Sequence, residues 1–251
     1  MTNRRLLLFS VFSVCLFISC GSDNTPSVEL NFKLEYDGNP LVMFQDVTYP
    51  NGEIMQMKRV SFFVSDMTLS DAAGNSEVVS EVEYLDMTDS HISVEGATEG
   101  LSLNLGSTDL TDVNQLRFNV GLNEAQNATV PEDYRSTSPL SRSAEYWRSW
   151  ESFVFIKLEG IIDYNQNGIT DNGESFTLHL GSNAVIRPIS LNVNDLSDPI
   201  DITIDIRDIF QDEAGEVYDI TGEGARLHTL DDPTLVRMAF LTDGLAAAIE
   251  Q

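Results

Sequence analysis

The sequence predicts an all-β fold, an antiparallel β-sandwich with long loops and a short C-terminal helix. Three observations carry that expectation. Apolar and polar residues alternate with a period of two in several short stretches, the pattern of a strand with one buried face. Gly, Asn and Asp punctuate those stretches at short intervals, as turns do. No fixed-period repeat runs through the chain, which argues against a solenoid or propeller.

The N-terminus reads as export machinery. "MTNRR" is a short basic start, and "LLLFSVFSVCLFI" is an apolar run too short to persist as a membrane-spanning helix. "LFISC" resembles a lipobox, so residues 1–19 are expected to be a lipoprotein signal peptide and Cys20 the lipidated N-terminus. The alternative is an ordinary secretory signal cut near Ser19, leaving Cys20 as a lone thiol, an awkward group in an oxidising compartment. Residues 20–27 then form a flexible tether, and 28–251 a single domain that folds without a disulfide on its hydrophobic core. The expected location is the Gram-negative cell envelope, lipid-anchored in the periplasm or on the outer-membrane surface.

Strand patterns follow in order. "VELNFKLEY" alternates through Val28, Leu30, Phe32, Leu34 and Tyr36, and "DGNP" ends it. "QMKRVSFFVSDMTLS", "EVVSEVEYLDM", "GLSLNLG" and "VNQLRFNVGL" come next. "FVFIKLEG" and "SFTLHLG" flank a polar stretch, and "DPIDITIDIRDIF" places Ile200, Ile202, Ile204 and Ile206 on one face. Residues 123–146 form a long polar connection, a kind of loop that is usually functional or mobile in a compact domain. The segment from 231 reads as a helix, with Asp232 as cap, Pro233 in the first turn, and Leu235, Met238, Ala239 and Leu241 at helical spacing. Gly244 is expected to break or bend it.

Charge limits the partners. The chain of 251 residues carries 14 Lys and Arg against 40 Asp and Glu, a net charge of −26. Nucleic acid and anionic surfaces would repel it, so no nucleic-acid partner is expected. No nucleophile elbow, phosphate loop or dinucleotide fingerprint is present, and no carboxylate pair stands out as acid and base, so the expectation is a binding protein and not an enzyme.

One stretch does look built for a ligand. In "DYNQNGITDNGE", residues 163–174, Asp163, Asn165, Asn167, Asp171 and Glu174 fall at positions one, three, five, nine and twelve. Gly168 is at six and the Ile169 carbonyl at seven. This is the oxygen spacing of an EF-hand-type calcium loop, in which Glu174 closes the shell with two oxygens and Gly168 permits the turn. The flanks are strand-like where a sensor has helices, so Ca2+ is expected as a structural staple. The bland alternative is an acidic turn. Of the three histidines, His91 reads as a surface-loop residue. His179 reads as a strand residue opposite Phe176 and Leu178, and His228 as a residue that only caps or packs before the last helix.

"SPLSRSAEYWRSWESFVFIKLEG", residues 138–160, followed by "FTLHLGS", resembles the MbnP-like family, methanobactin-partner-type proteins of the periplasm or cell surface. "LNFKLEYDGNPL", "VSFFVSDMTL", "LRFNVGL" and "HTL" extend the resemblance over most of the chain. It implies a β-sandwich. In copper-binding members, histidines and a tryptophan oxidised to kynurenine hold Cu, and a di-haem peroxidase-like partner performs the oxidation. Carried over, Trp147 matches the first Trp of the family's W-x-W and His179 the His of H-L-G. Ser138 stands where the family has a His, Ser149 at the second Trp with Trp150 one residue later, and Ser152-Phe153 at the family's Gly-Tyr. Two readings stay open. One is copper capture through Trp147 and His179. The other is a calcium-stabilised surface module with a decayed copper site and a protein or glycan ligand; Tyr146, Trp147, Trp150 and Phe153 read first as core packing, with a stacking platform for a glycan as the alternative.

Overall fold

The strand patterns become two sheets packed face to face. The structure is a computed structural model and describes residues 25–168, 174–194 and 196–251. The signal peptide and Cys20 lie outside the described residues, as do Ile169 and Asp171. Nine strands carry the architecture. They are β1 (Ser27–Tyr36), β2 (Ile54–Asp71), β3 (Ser76–Asp86), β4 (Leu101–Ser107), β5 (Val113–Val120), β6 (Ser152–Ile162), β7 (Ser175–Gly181), β8 (Arg187–Asn192) and β9 (Ile200–Asp205). In the smaller sheet β1 pairs with β9 and β4. The larger sheet runs β8–β5–β2–β6–β7 and ends on the short segment Arg226–Leu227, with β3 added along β2.

The core lies between the sheets. Phe32 of β1 meets Phe62 of β2 and Phe118 of β5 edge-on, with ring centroids 6.3 and 6.4 Å apart. Leu30, Leu34, Ile202 and Ile204 from one sheet, and Leu158, Phe176, Leu178 and Leu180 from the other, are fully or almost fully buried. Each such side chain contributes about 1.5–3 kcal/mol when withdrawn from water. The two-residue alternation therefore sets the fold, because it puts every second side chain into this layer.

Among the described residues most pairings are antiparallel, as expected, but two are parallel: β1 with β9, and β7 with Arg226–Leu227. Both join segments far apart in sequence, which no hairpin constrains to run in opposite directions. The "DITIDIRDIF" pattern also stops being a strand early. Ile206 opens a short helix α1 (Ile206–Ile209), capped by the Asp205 carboxylate accepting from the Arg207 N–H at 2.9 Å.

The last helix, α2 (Asp232–Ala247), starts one residue away from the expected cap. Asp231 is the cap and accepts from the Thr234 N–H at 2.9 Å. Gly244 does not break α2. A Cβ there would lie 2.7 Å from the Ile209 carbonyl oxygen, so glycine lets α2 close on α1. The long connection after β5 is not extended coil. It breaks into short helical turns and covers the outer face of the larger sheet. Asn127, buried, ties it down by donating to Asn183 Oδ1 at 2.9 Å and accepting from the Phe153 N–H at 2.9 Å.

Candidate metal centre

The outer face of the larger sheet carries a polar stripe because strand register brings it together. β7 sends Phe176, Leu178 and Leu180 inward, so Thr177 and His179 point outward. His179 lies opposite Lys157, and Thr177 opposite Glu159, which in turn lies opposite Arg59. Arg226 and Leu227 pair with Thr177 and Leu178 along the edge of β7, which carries His228 beside His179. Above this stripe, Tyr146–Trp147 pairs with the start of β6, and a tight turn returns Trp150 over Trp147, the Trp150 N–H donating to the Trp147 carbonyl at 3.0 Å.

Four rings meet there. The Trp147 ring centroid is 5.1 Å from His179, 5.1 Å from His228 and 4.4 Å from Trp150. The two imidazoles stack at 4.9 Å with 25° between their planes. Trp150 Nε1 donates to the His228 carbonyl at 3.3 Å. His228 Nε2 is 3.0 Å from Thr177 Oγ1, and burial together with the nearby His179 and Arg226 holds its pKa below the usual histidine value. His179 Nε2 is 2.8 Å from Glu159 Oε1, and that hydrogen bond holds the Glu159 carboxyl below the ordinary carboxylate range. His179 Nδ1 is buried and makes no hydrogen bond among the described residues. Imidazole nitrogens against indole walls are donors suited to a soft or borderline metal ion. Among the described residues, no group of three or more His, Cys, Asp and Glu is arranged to hold a metal, so this donor set rests on two histidines.

Beside the rings, the covering loop is pinned by charge. Glu145 is buried and its Oε2 is 2.6 Å from Lys157 Nζ. Its Oε1 accepts from Arg59 Nη2 and from the Tyr84 hydroxyl, each at 3.0 Å. Lys157 also donates to the Ala144 carbonyl at 2.9 Å.

The calcium-type loop sits in the hairpin between β6 and β7. Asp163 and Glu174 are both buried at its two ends. Asp163 accepts from the backbone N–H groups of Asn167 at 3.1 Å and Gly168 at 2.7 Å. Glu174 Oε1 accepts from the Asn165 amide at 2.9 Å. Gly168 takes φ +80°, the left-handed turn that glycine permits at position six.

Several expectations are corrected. His91 is no surface residue; it is fully buried. His228 does not merely cap or pack, because it completes the ring cluster. The departure from W-x-W leaves Trp150 in the cluster all the same. Ser138 caps a local turn, its Oγ accepting from the Leu140 N–H at 3.2 Å. The four aromatics divide: Phe153 is buried and Tyr146 packs edge-on against it at 5.1 Å, while Trp147 meets both histidine rings and Trp150 lies against Trp147. Nothing in composition marks Glu159 among 40 acidic residues; its signal is its place in "KLEG", directly opposite Thr177 across the ladder and diagonal to His179.

A two-sheet β fold with an outward aromatic–histidine cluster under a long loop defines the class of protein. The MbnP family model matches residues 25–223, and the chain belongs to that family. Among solved structures, MbnP from Methylosinus trichosporium has the same fold, with a TM-score of 0.57 and 15% identity over 84% of this chain and 87% of that one. No match was found among curated proteins.

Proposed function

We propose that this protein is a lipid-anchored metal-binding protein of the cell envelope, holding copper at the cluster of Trp147, His179 and His228, with the 163–174 loop acting as a calcium staple. The observation that carries the reading is the meeting of those three rings within 5.1 Å of one another, drawn from three separate segments of chain. The indole N–H only donates, so unmodified Trp147 is a wall and not a ligand. Conversion to kynurenine by a di-haem peroxidase-like partner would turn that wall into a ligand. Joint coordination by both histidines requires one stacked imidazole to turn until the two lone pairs converge. The role is binding, not turnover.

The test is metal analysis of protein purified from its native envelope, with mass spectrometry of the Trp147 peptide. Bound copper in near-stoichiometric amount, lost in a His179→Ala, His228→Ala double variant, is the expected result. Absence of copper together with an unmodified Trp147 overturns the reading.

The two-histidine donor set and the local bonding of Ser138 favour a second reading, in which the copper site has decayed and the protein is a calcium-stabilised surface module. Calcium is supported by the two buried carboxylates, Asp163 and Glu174, that close the ends of the loop. Under this reading calcium raises stability and copper leaves it unchanged.

A further inference from the structure

We propose that Glu159 is a positioning residue that holds His179 as the Nε2–H tautomer, leaving Nδ1 as the buried lone-pair donor for a soft metal cation. The tautomer stands on geometry alone; the use of Nδ1 by a metal rests on the copper reading above.

A carboxylate only accepts, so the proton on the 2.8 Å contact between Glu159 Oε1 and His179 Nε2 belongs to the imidazole. In a neutral ring the other nitrogen then carries the lone pair. That nitrogen is buried, with the side chain 11% exposed, and makes no hydrogen bond among the described residues. Buried polar atoms are rarely left so, and each exception needs a reason.

The neighbours do not compete for either group. Lys157, directly opposite His179, is occupied by Glu145 and the Ala144 carbonyl. Arg59, opposite Glu159, is turned to Glu145, Tyr84 and Ser61. Glu159 and His179 are therefore free to pair with each other.

The other histidines give the contrast. His91 uses both ring nitrogens, one accepting from the Leu34 N–H at 3.0 Å and the other 3.0 Å from the Met87 carbonyl. His228 meets a threonine hydroxyl, which can donate or accept and so imposes no tautomer. His179 is the histidine whose surroundings dictate which nitrogen is bare. A carboxylate behind an imidazole also raises its basicity as a ligand, and loss of such a partner typically weakens metal binding by about 10–100-fold.

The experiment uses the folded, metal-free protein as wild type, Glu159→Gln and Glu159→Leu. Long-range proton–nitrogen NMR correlations read the His179 tautomer, and competition with a chromophoric chelator reads Cu(I) affinity. Expected are an Nε2–H tautomer in wild type, its loss in Glu159→Leu, and Cu(I) affinity about 10–100-fold lower in that variant. Glu159→Gln keeps an acceptor oxygen and recovers part of both. An Nδ1–H tautomer in wild type overturns the proposal. So does equal Cu(I) affinity in wild type and Glu159→Leu, which leaves the copper reading intact. If wild type shows the Nε2–H tautomer but binds no Cu(I), the tautomer assignment holds and the copper reading falls.

Discussion

The His91 imidazole is a structural bridge. Its Nε2 accepts from the Leu34 backbone in β1, and its own carbonyl accepts from the Met43 N–H at 2.7 Å. Removing the ring leaves a cavity and an unpaired buried N–H, so His91→Ala should cost about 3 kcal/mol in chemical denaturation. Burial also lowers the His91 pKa below its unfolded value. A depressed histidine contributes stability that is complete above the unfolded pKa of about 6.5 and declines as pH falls through the folded pKa. The stability gap between wild type and His91→Ala should therefore shrink between about pH 8 and pH 5; a constant gap would show that the ring does not titrate differently on folding. Two glycines explain part of the family motif in the same physical terms. A Cβ on Gly160 would sit 2.4 Å from the Phe176 ring and 2.3 Å from the Gln56 carbonyl. A Cβ on Gly181 would meet the Phe153 carbonyl at 2.6 Å and the Trp150 ring at 3.1 Å. Gly181→Ala should destabilise by about 1–3 kcal/mol, because the Phe153 carbonyl must shift, and change Trp150 fluorescence, because the ring beside it must also give.

Strands, loop and hairpin then decide what faces the cluster. β6 is buried on both sides, its inner face by the opposing sheet and its outer face by the loop that ends at Trp147. The loop is locked by Glu145, whose carboxylate meets Lys157, Arg59 and Tyr84 away from water. Removing one member of such a buried group leaves the others uncompensated, which typically costs about 3–5 kcal/mol. Glu145→Ala should lose stability on that scale, and hydrogen exchange should show faster exchange over residues 139–150 than over β1. Uniform protection in the variant would mean that the loop is held by something else. "KLEG" thus has a reason at each polar position: Lys157 holds the loop, Glu159 holds His179, and Gly160 admits Phe176.

At the scale of the whole molecule, stability depends on one core and an acidic surface. The buried side chains from Val28 to Ile249 form a single cluster spanning both sheets. A net charge of −26 opposes compaction by self-repulsion, and a bound divalent cation offsets part of it. If the 163–174 loop takes calcium, a ligand at a hundredfold excess over its Kd adds about 2.7 kcal/mol, several degrees of Tm at this size. Differential scanning calorimetry should show that rise with calcium, and Glu174→Ala should abolish it. A Tm unmoved by chelator would remove the staple.

The amino-acid sequence by itself determined the sandwich, because a two-residue period needs no partner to be visible. It also determined the outward direction of His179, since Phe176 and Leu178 claim the other face. It could not reveal that His91 is buried, because the turn around it is polar and only the docking of that turn on β1 encloses the ring. Nor could it bring His228 to His179. That meeting depends on a parallel pairing between Thr177–Leu178 and Arg226–Leu227, about fifty residues apart, and long-range register is settled by packing of whole elements. Glu159 was selected from forty acidic residues in the same way: strand register across the larger sheet, not composition, set it against His179.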